Sequence, residues 1–264
     1  MELSFFKYQG TGNDFILLDN RKKNWERLLS RESIAYLCDR RRGIGADGLM
    51  LLSDSEDADF RMIYYNSDGG ESTMCGNGGR CIVGFAKRLG HIQDECTFDA
   101  IDGLHHAQVN GNEVILEMMK PKGFQTLADS KFWIDTGSPH YVWFTDKPIE
   151  EISVFEQGKK IRYHTDFQAI GGTNVNFVNI DEPKKLQVRT YERGVENETL
   201  SCGTGVTACA YTYLMQHPQD SPEIQINTPG GILKVEVKDM GTTEERVFLS
   251  GPATFVFQGK IRLP

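Results

Sequence analysis

Residues 68–81 read DGGESTMCGNGGRC, and residues 192–209 read ERGVENETLSCGTGVTAC. Each stretch places Cys-Gly-X-Gly directly ahead of a run with helical spacing: Cys75-Gly76-Asn77-Gly78 and Cys202-Gly203-Thr204-Gly205. The helices predicted from these starts run over 76–89, stopped by Gly90, and over 203–216, stopped near Pro218. A cysteine at a helix N-terminus meets unpaired backbone N–H groups and the positive end of the helix dipole, and both favour thiolate over thiol. The same N–H groups can hold a carboxylate, and the glycines let a ligand approach the backbone. One turn thus supplies an activated sulfur together with an anion site.

Working outward, each cysteine turn is preceded by a second Gly/Asn motif, GTGNDFILLD at 10–19 in the first half and GTNVNFVNID at 172–181 in the second. The order is the same in both halves, and the unequal spacing is assigned to an extra helix predicted over 25–42 in the first half alone. Strands are expected over 114–118, 132–135, 175–180, 186–191, 223–227, 233–237 and 254–257. The expected architecture is α/β (α+β): two pseudo-symmetric domains, 1–125 and 126–264, with C-terminal strands free to cross over. Each would be a barrel-like, mostly antiparallel sheet around a central helix, with the site in the cleft between them.

The chain has 264 residues, enough for a sizeable core without disulfides or metals, and its formal net charge is −8. An acidic surface argues against nucleic acids and anionic membranes as partners and leaves a small anionic substrate open. The N-terminus MELSFFKYQGTGNDF has no basic stretch followed by an apolar run, so no export signal is expected and the expected location is the cytoplasm. No window approaches the roughly 18 apolar residues that a membrane span needs. The six cysteines are expected as reduced thiols, with Cys38, Cys81, Cys96 and Cys209 as small buried hydrophobes. Zinc would need further Cys or His at suitable spacing, which His105-His106 do not provide, so no metal is expected.

Two opposed sulfurs suit inversion of a stereocentre next to a carboxylate. One thiolate removes the α-proton from one face, and a thiol delivers a proton to the other. A thiol pKa tuned downward lies close to working pH, where acid/base catalysis is efficient. Backbone N–H groups at the two helix ends can stabilise the charge that grows on the carboxylate.

At these motifs the sequence resembles the diaminopimelate epimerase family. The matching stretches are GTGNDF at 10–15, GIGADGL at 43–49, NSDGGESTMCGNGGRC at 66–81, GSPHYV at 137–142, GTNVNF at 172–177, RTYERGVENETLSCGTGVTACA at 189–210 and TPGGILKV at 228–235. The resemblance implies conversion of LL-2,6-diaminopimelate to the meso form, without pyridoxal phosphate or any other cofactor, for lysine and peptidoglycan synthesis. It implies Cys75 and Cys202 as the acid/base pair, with His140 and Glu192 close to the catalytic centre. Asn13, Asn66, Asn174, Glu192 and Arg193 match substrate-binding positions, and Gly76-Asn77 and Gly203-Thr204 match the helix-end donors. The expected partner is the small-molecule substrate alone, and a homodimer is left open. The chain departs from many members at Gly48, where they carry Gln, and at Ser138, where they carry Asn. Proline and hydroxyproline racemases resemble the family in fold and cysteine pair but differ around the cysteines. The phenazine-biosynthesis isomerases lack the pair, and a non-catalytic binding protein would have no need of both cysteines and the Glu192-Arg193 pair.

Overall fold

The computed structural model describes residues 2–218 and 222–263. The chain packs as two compact units, Met1–Leu116 with Gly251–Pro264, and Glu117–Ser250.

Across the sheet of the first unit the strands run Thr254–Arg262, Glu2–Gly10, Asn13–Asp19, Gly48–Ser53, Phe60–Asn66, Glu95–Ala100, Gly103–Asn110 and Glu113–Met118. Successive neighbours are antiparallel except Asn13–Asp19 with Gly48–Ser53 and Phe60–Asn66 with Glu95–Ala100, which are parallel. In the second unit the order is Lys122–Ala128, Lys131–Asp135, Pro139–Phe144, Asn174–Glu182, Lys185–Glu192, Glu223–Thr228, Gly231–Lys238 and Arg246–Pro252. Here the two parallel pairs fall at the same stations, Pro139–Phe144 with Asn174–Glu182 and Lys185–Glu192 with Glu223–Thr228.

This matched topology keeps the internal repeat but changes its phase. The strand Asn13–Asp19 is the counterpart of Pro139–Phe144, so GTGNDF corresponds to TGSPHYV and not to GTNVNF, which instead corresponds to the strand begun by GIGADGL. In the corrected phase the two halves have almost the same chain length between motif and cysteine, and no extra helix is needed. Indeed the second unit carries helices in the equivalent connection, Val154–Arg162 and Thr165–Gln168. The sequence pattern misses them because apolar residues are sparse over this stretch. The helix predicted over 25–42 is two short ones, Trp25–Leu28 and Arg31–Cys38. Ser30 breaks it: its side chain accepts the Ser33 N–H and caps a new helix.

In each unit one long helix packs inside the sheet and short helices cover the outer face. The helix Gly76–Arg88 lies against Glu2–Gly10, Asn13–Asp19, Gly48–Ser53, Gly103–Asn110 and Thr254–Arg262. On the other face Trp25, Ile34 and Leu37 pack with Leu3, Ile16, Leu18, Leu49 and Leu51. The central strands are therefore buried on both sides. They read as continuous apolar runs, FILL at 15–18 and LMLL at 49–52, with every residue fully buried. In the second unit the helix Gly203–Gln216 takes the inner place. Val154 and Phe167 pack outside against Tyr141, Val175, Phe177 and Tyr191. Among the described residues no helix is long and apolar enough to cross a membrane.

Candidate active site

The helix starts predicted at the two cysteines are the observed ones. Cys75 is the N-cap of Gly76–Arg88 with extended backbone, and its Sγ accepts the Gly78 N–H at 3.3 Å. Behind it lies Arg80, fully buried. The guanidinium donates to the Gly76 carbonyl at 3.0 Å, the Asn77 Oδ1 at 3.0 Å, the Thr11 Oγ1 at 3.3 Å and the Pro252 carbonyl at 3.5 Å. Every one of these acceptors is uncharged. Burial holds the Arg80 pKa down at about 10, against the opposing pull of the nearby Cys81 and Cys75 sulfurs.

Asn13 opens its strand, and its Nδ2 donates to Asp47 Oδ2 at 2.6 Å. Asp47 and Asp14 are both gripped by Arg40, and Lys7 closes on Asp14 at 2.7 Å. This charged knot fixes one side of the Asn13 amide. Asn66 ends the strand Phe60–Asn66, exposed and paired in register with Gly48. A side chain at Gly48 would start 2.5 Å from the Tyr64 ring and 2.6 Å from the Tyr65 carbonyl. The glycine found there in place of Gln is required by the packing of this chain.

Around Cys202 the arrangement has a different chemistry. Cys202 is the N-cap of Gly203–Gln216, and its Sγ lies 3.5 Å from Thr204 Oγ1. The Thr204 carbonyl accepts from Thr136 Oγ1 at 2.9 Å, and Thr204 Oγ1 lies 3.3 Å from Ser138 Oγ. Ser138 Oγ is 3.0 Å from His140 Nε2. Asn174 Nδ2 donates to Ser138 Oγ at 3.2 Å and to the Pro139 carbonyl at 2.9 Å, and its Oδ1 accepts the Arg193 N–H at 2.8 Å. Asn176 Nδ2 donates to the Tyr141 carbonyl at 3.0 Å and lies 3.1 Å from His140 Nδ1, while its Oδ1 accepts from Thr190 at 2.9 Å. His140, Asn174 and Asn176 are buried. Burial and then the Arg193 charge push the His140 pKa down to about 3, so the imidazole is neutral at working pH.

Cys202, Thr204, His140, Asn174 and the Arg193 backbone are thus linked by continuous hydrogen bonds within one unit. Glu192 accepts from Thr199 Oγ1 at 2.9 Å. The Arg193 guanidinium reaches the Ile170 and Gly172 carbonyls at 3.3 and 3.4 Å. Sequence reading missed Arg80, Thr11, Thr136, Asn176 and Thr190. Asn176 had a signal: it follows Asn174 by two on a strand and therefore shares its face. The other four cysteines are buried, and burial raises the thiols of Cys38, Cys81 and Cys96 to about 12 and that of Cys209 well above its ordinary value.

Fold and turns together define a class, the two-unit α/β proteins built from a repeated sheet wrapped on a helix. Among solved structures the chain is similar to a Bacillus anthracis phenazine biosynthesis protein of the PhzF family, with a TM-score of 0.73, 17% identity and 99% of both chains covered. It is likewise similar to a hydroxyproline epimerase from Agrobacterium vitis, with a TM-score of 0.67, 15% identity, and 98% of this chain and 92% of that one covered. At those identities the likeness shows the fold alone. Sequence goes further. The model of the family described as diaminopimelate epimerase matches residues 5–123 and 132–256. The diaminopimelate epimerase of Flavobacterium psychrophilum is 49% identical over 259 residues, covering 98% of this chain and all of the relative. That of Chlorobaculum tepidum is 40% identical over 263 residues, covering 96% and 99%. The chain belongs to the diaminopimelate epimerase family, a family of isomerases acting on amino acids.

Proposed function

We propose that this protein interconverts LL- and meso-2,6-diaminopimelate by two-base proton transfer between Cys75 and Cys202, without a cofactor, in the cytoplasm. The observation that carries the reading is the Cys-Gly-X-Gly helix start, found at the same topological station of both units. In the proposed step the α C–H bond breaks and an S–H bond forms on one sulfur. On the opposite face an S–H bond breaks and a new C–H bond forms. No electron is gained or lost overall, so no redox partner is consumed. Charge that develops on the reacting carboxylate is met by the backbone N–H groups of Gly76-Asn77 and Gly203-Thr204. The neutral His140 sets the polarity of the surroundings of Cys202 without adding a charge.

Selection falls to the distal end of the substrate. Arg193, with Asn13 and Asn66, supplies donors for a second carboxylate, Asn174 holds the Arg193 backbone through its Oδ1, and Glu192 supplies an acceptor for a second ammonium. A site that hydrogen-bonds a substrate group rejects analogues lacking that group by large factors, because its own polar groups are left unpaired. The test is solvent deuterium incorporation at the α-carbon, run with diaminopimelate, lysine and proline side by side. Exchange is expected for diaminopimelate alone. Equal exchange with proline would replace this reading by a proline racemase, and no exchange at all would make the protein a binding protein.

A further inference from the structure

Two asparagine amides fix the direction of the hydrogen bonds that run from His140 to Thr204. Asn174 Oδ1 accepts a backbone N–H, that of Arg193, and so its Nδ2 is the donor toward the Pro139 carbonyl and Ser138 Oγ. Asn176 Nδ2 donates to a backbone carbonyl, that of Tyr141, and so it also donates to His140 Nδ1. Turning Asn174 over would set donor against donor at the Arg193 N–H, and turning Asn176 over would set acceptor against acceptor at the Tyr141 carbonyl. His140 Nδ1 is therefore an acceptor, and the ring proton is on Nε2, facing Ser138 Oγ at 3.0 Å. Ser138 Oγ then receives two hydrogen bonds, from Asn174 and from His140, which fill its acceptor positions. Its one hydroxyl proton goes to the remaining neighbour, Thr204 Oγ1 at 3.3 Å. Thr204, receiving from Ser138, keeps its own proton to give, and Cys202 Sγ lies 3.5 Å away.

We infer that Ser138 and Thr204 form a one-way hydroxyl relay from neutral His140 toward Cys202, which leaves the Thr204 hydroxyl proton available to the Cys202 thiolate. The inference rests on the proposed role of Cys202 as an acid/base group. As a thiolate, Cys202 is stabilised by the Thr204 hydroxyl. The reversed relay fails on counting: a Thr204 that donated to Ser138 would leave Ser138 with three incoming bonds and an orphaned proton. No proton travels along the relay. Ser138 and Thr204 are positioning residues.

The test measures alkylation of Cys202 by iodoacetamide at neutral pH, with the modified peptides quantified by mass spectrometry and Cys75 read in the same sample. Thr204→Val is expected to slow alkylation of Cys202 roughly tenfold and Ser138→Ala a few-fold, while Thr204→Ser stays within about twofold of wild type. Cys75 should not respond to any of the three. A merely structural role would move both cysteines together or move neither, and either result would overturn the relay. Nitrogen-15 spectra of labelled wild-type protein give an independent reading that needs no variant. They should show His140 neutral with the proton on Nε2, and an Nδ1–H or charged ring would overturn the relay even if Thr204→Val did not fold. Turnover of diaminopimelate by wild-type protein is scored separately. A relay signature without turnover would refute the proposed function, and turnover without the signature would refute the relay alone.

Discussion

In both units the fifth residue after the cysteine reaches back to the carbonyl of the first helical residue. In one it is Arg80, donating to Gly76 at 3.0 Å; in the other it is Thr207, donating to Gly203 at 2.9 Å. Both are fully buried. The same backbone geometry is thus backed by a cation in the first unit and by a hydroxyl in the second. Among the described residues the acceptors that the cation meets are neutral, with Cys81 and Cys75 as nearby groups able to carry negative charge. Cys202 has a string of neutral hydroxyls ending on a neutral imidazole. A repeated fold supplies equivalent positions, and the residues at those positions are then free to diverge. Two sulfurs proposed to exchange acid and base roles need not be tuned by the same device.

The largest expected effect tests whether the two turns are equal in importance. Cys75→Ala and Cys202→Ala should each abolish measurable epimerisation, followed by NMR of the diaminopimelate isomers. Near-normal turnover in either variant would leave one turn as scaffold and break the comparison. Next comes the contrast at the fifth residue. Arg80→Met strips partners from Thr11, Asn77 and the Gly76 carbonyl and should cost about 3 kcal/mol in urea unfolding. Thr207→Val loses one helix-internal bond and should cost about 1 kcal/mol. Equal costs would mean that the cation has no special place.

The glycines of the two turns differ in the same sense. A side-chain carbon at Gly205 would lie 2.6 Å from Asn176 Oδ1 and 3.4 Å from Cys202 Sγ, whereas at Gly78 the closest atom is Cys75 Sγ at 3.2 Å. Gly205→Ala should cost about 2 kcal/mol and displace the Asn176–His140 pair, with Gly78→Ala clearly milder. Melting temperatures of the two variants measure the gap, and a milder Gly205→Ala would show that the hydrogen-bonded side yields more easily than its contacts suggest.

Acid should separate the two units as well. The folded-state pKa of His140 is about 3 against an ordinary 6.5, so the unfolded chain takes up a proton that the folded chain refuses. Its contribution is complete above pH 6.5 and is lost as pH falls toward 3, at up to about 1.4 kcal/mol per pH unit. In the first unit the comparable group is Asp14. Burial raises its carboxyl, but hydrogen bonds and charge from Arg40 and Lys7 outweigh that and hold it at about 2. Its contribution is complete above 3.8 and is lost only below that. Hydrogen exchange between pH 6.5 and 4 should therefore weaken the strands around His140 before those around Asp14, and His140→Gln should remove the difference.

What the sequence determined by itself was local. Cys-Gly-X-Gly ahead of an apolar period fixed both helix starts, because capping and helix spacing are settled within a few residues. The string of Gly/Asn motifs identified the family for a similar reason: each motif is a short backbone device, and their order along the chain is visible without a fold. Tertiary structure decided what depends on partners far apart. The phase of the repeat was misread because GTGNDF looks like GTNVNF, while only strand pairing reveals that its counterpart is the stretch around Ser138. The return of Thr254–Arg262 to pair with Glu2–Gly10 carries no local mark, since a strand does not encode its neighbour. Nothing local marks Arg80 as buried, since Thr11 and Pro252, which enclose it, are far away in sequence. The direction of the bonds toward Cys202 lay deeper still, because it follows from a backbone N–H at Arg193 and a carbonyl at Tyr141 that only the folded chain brings to two asparagines.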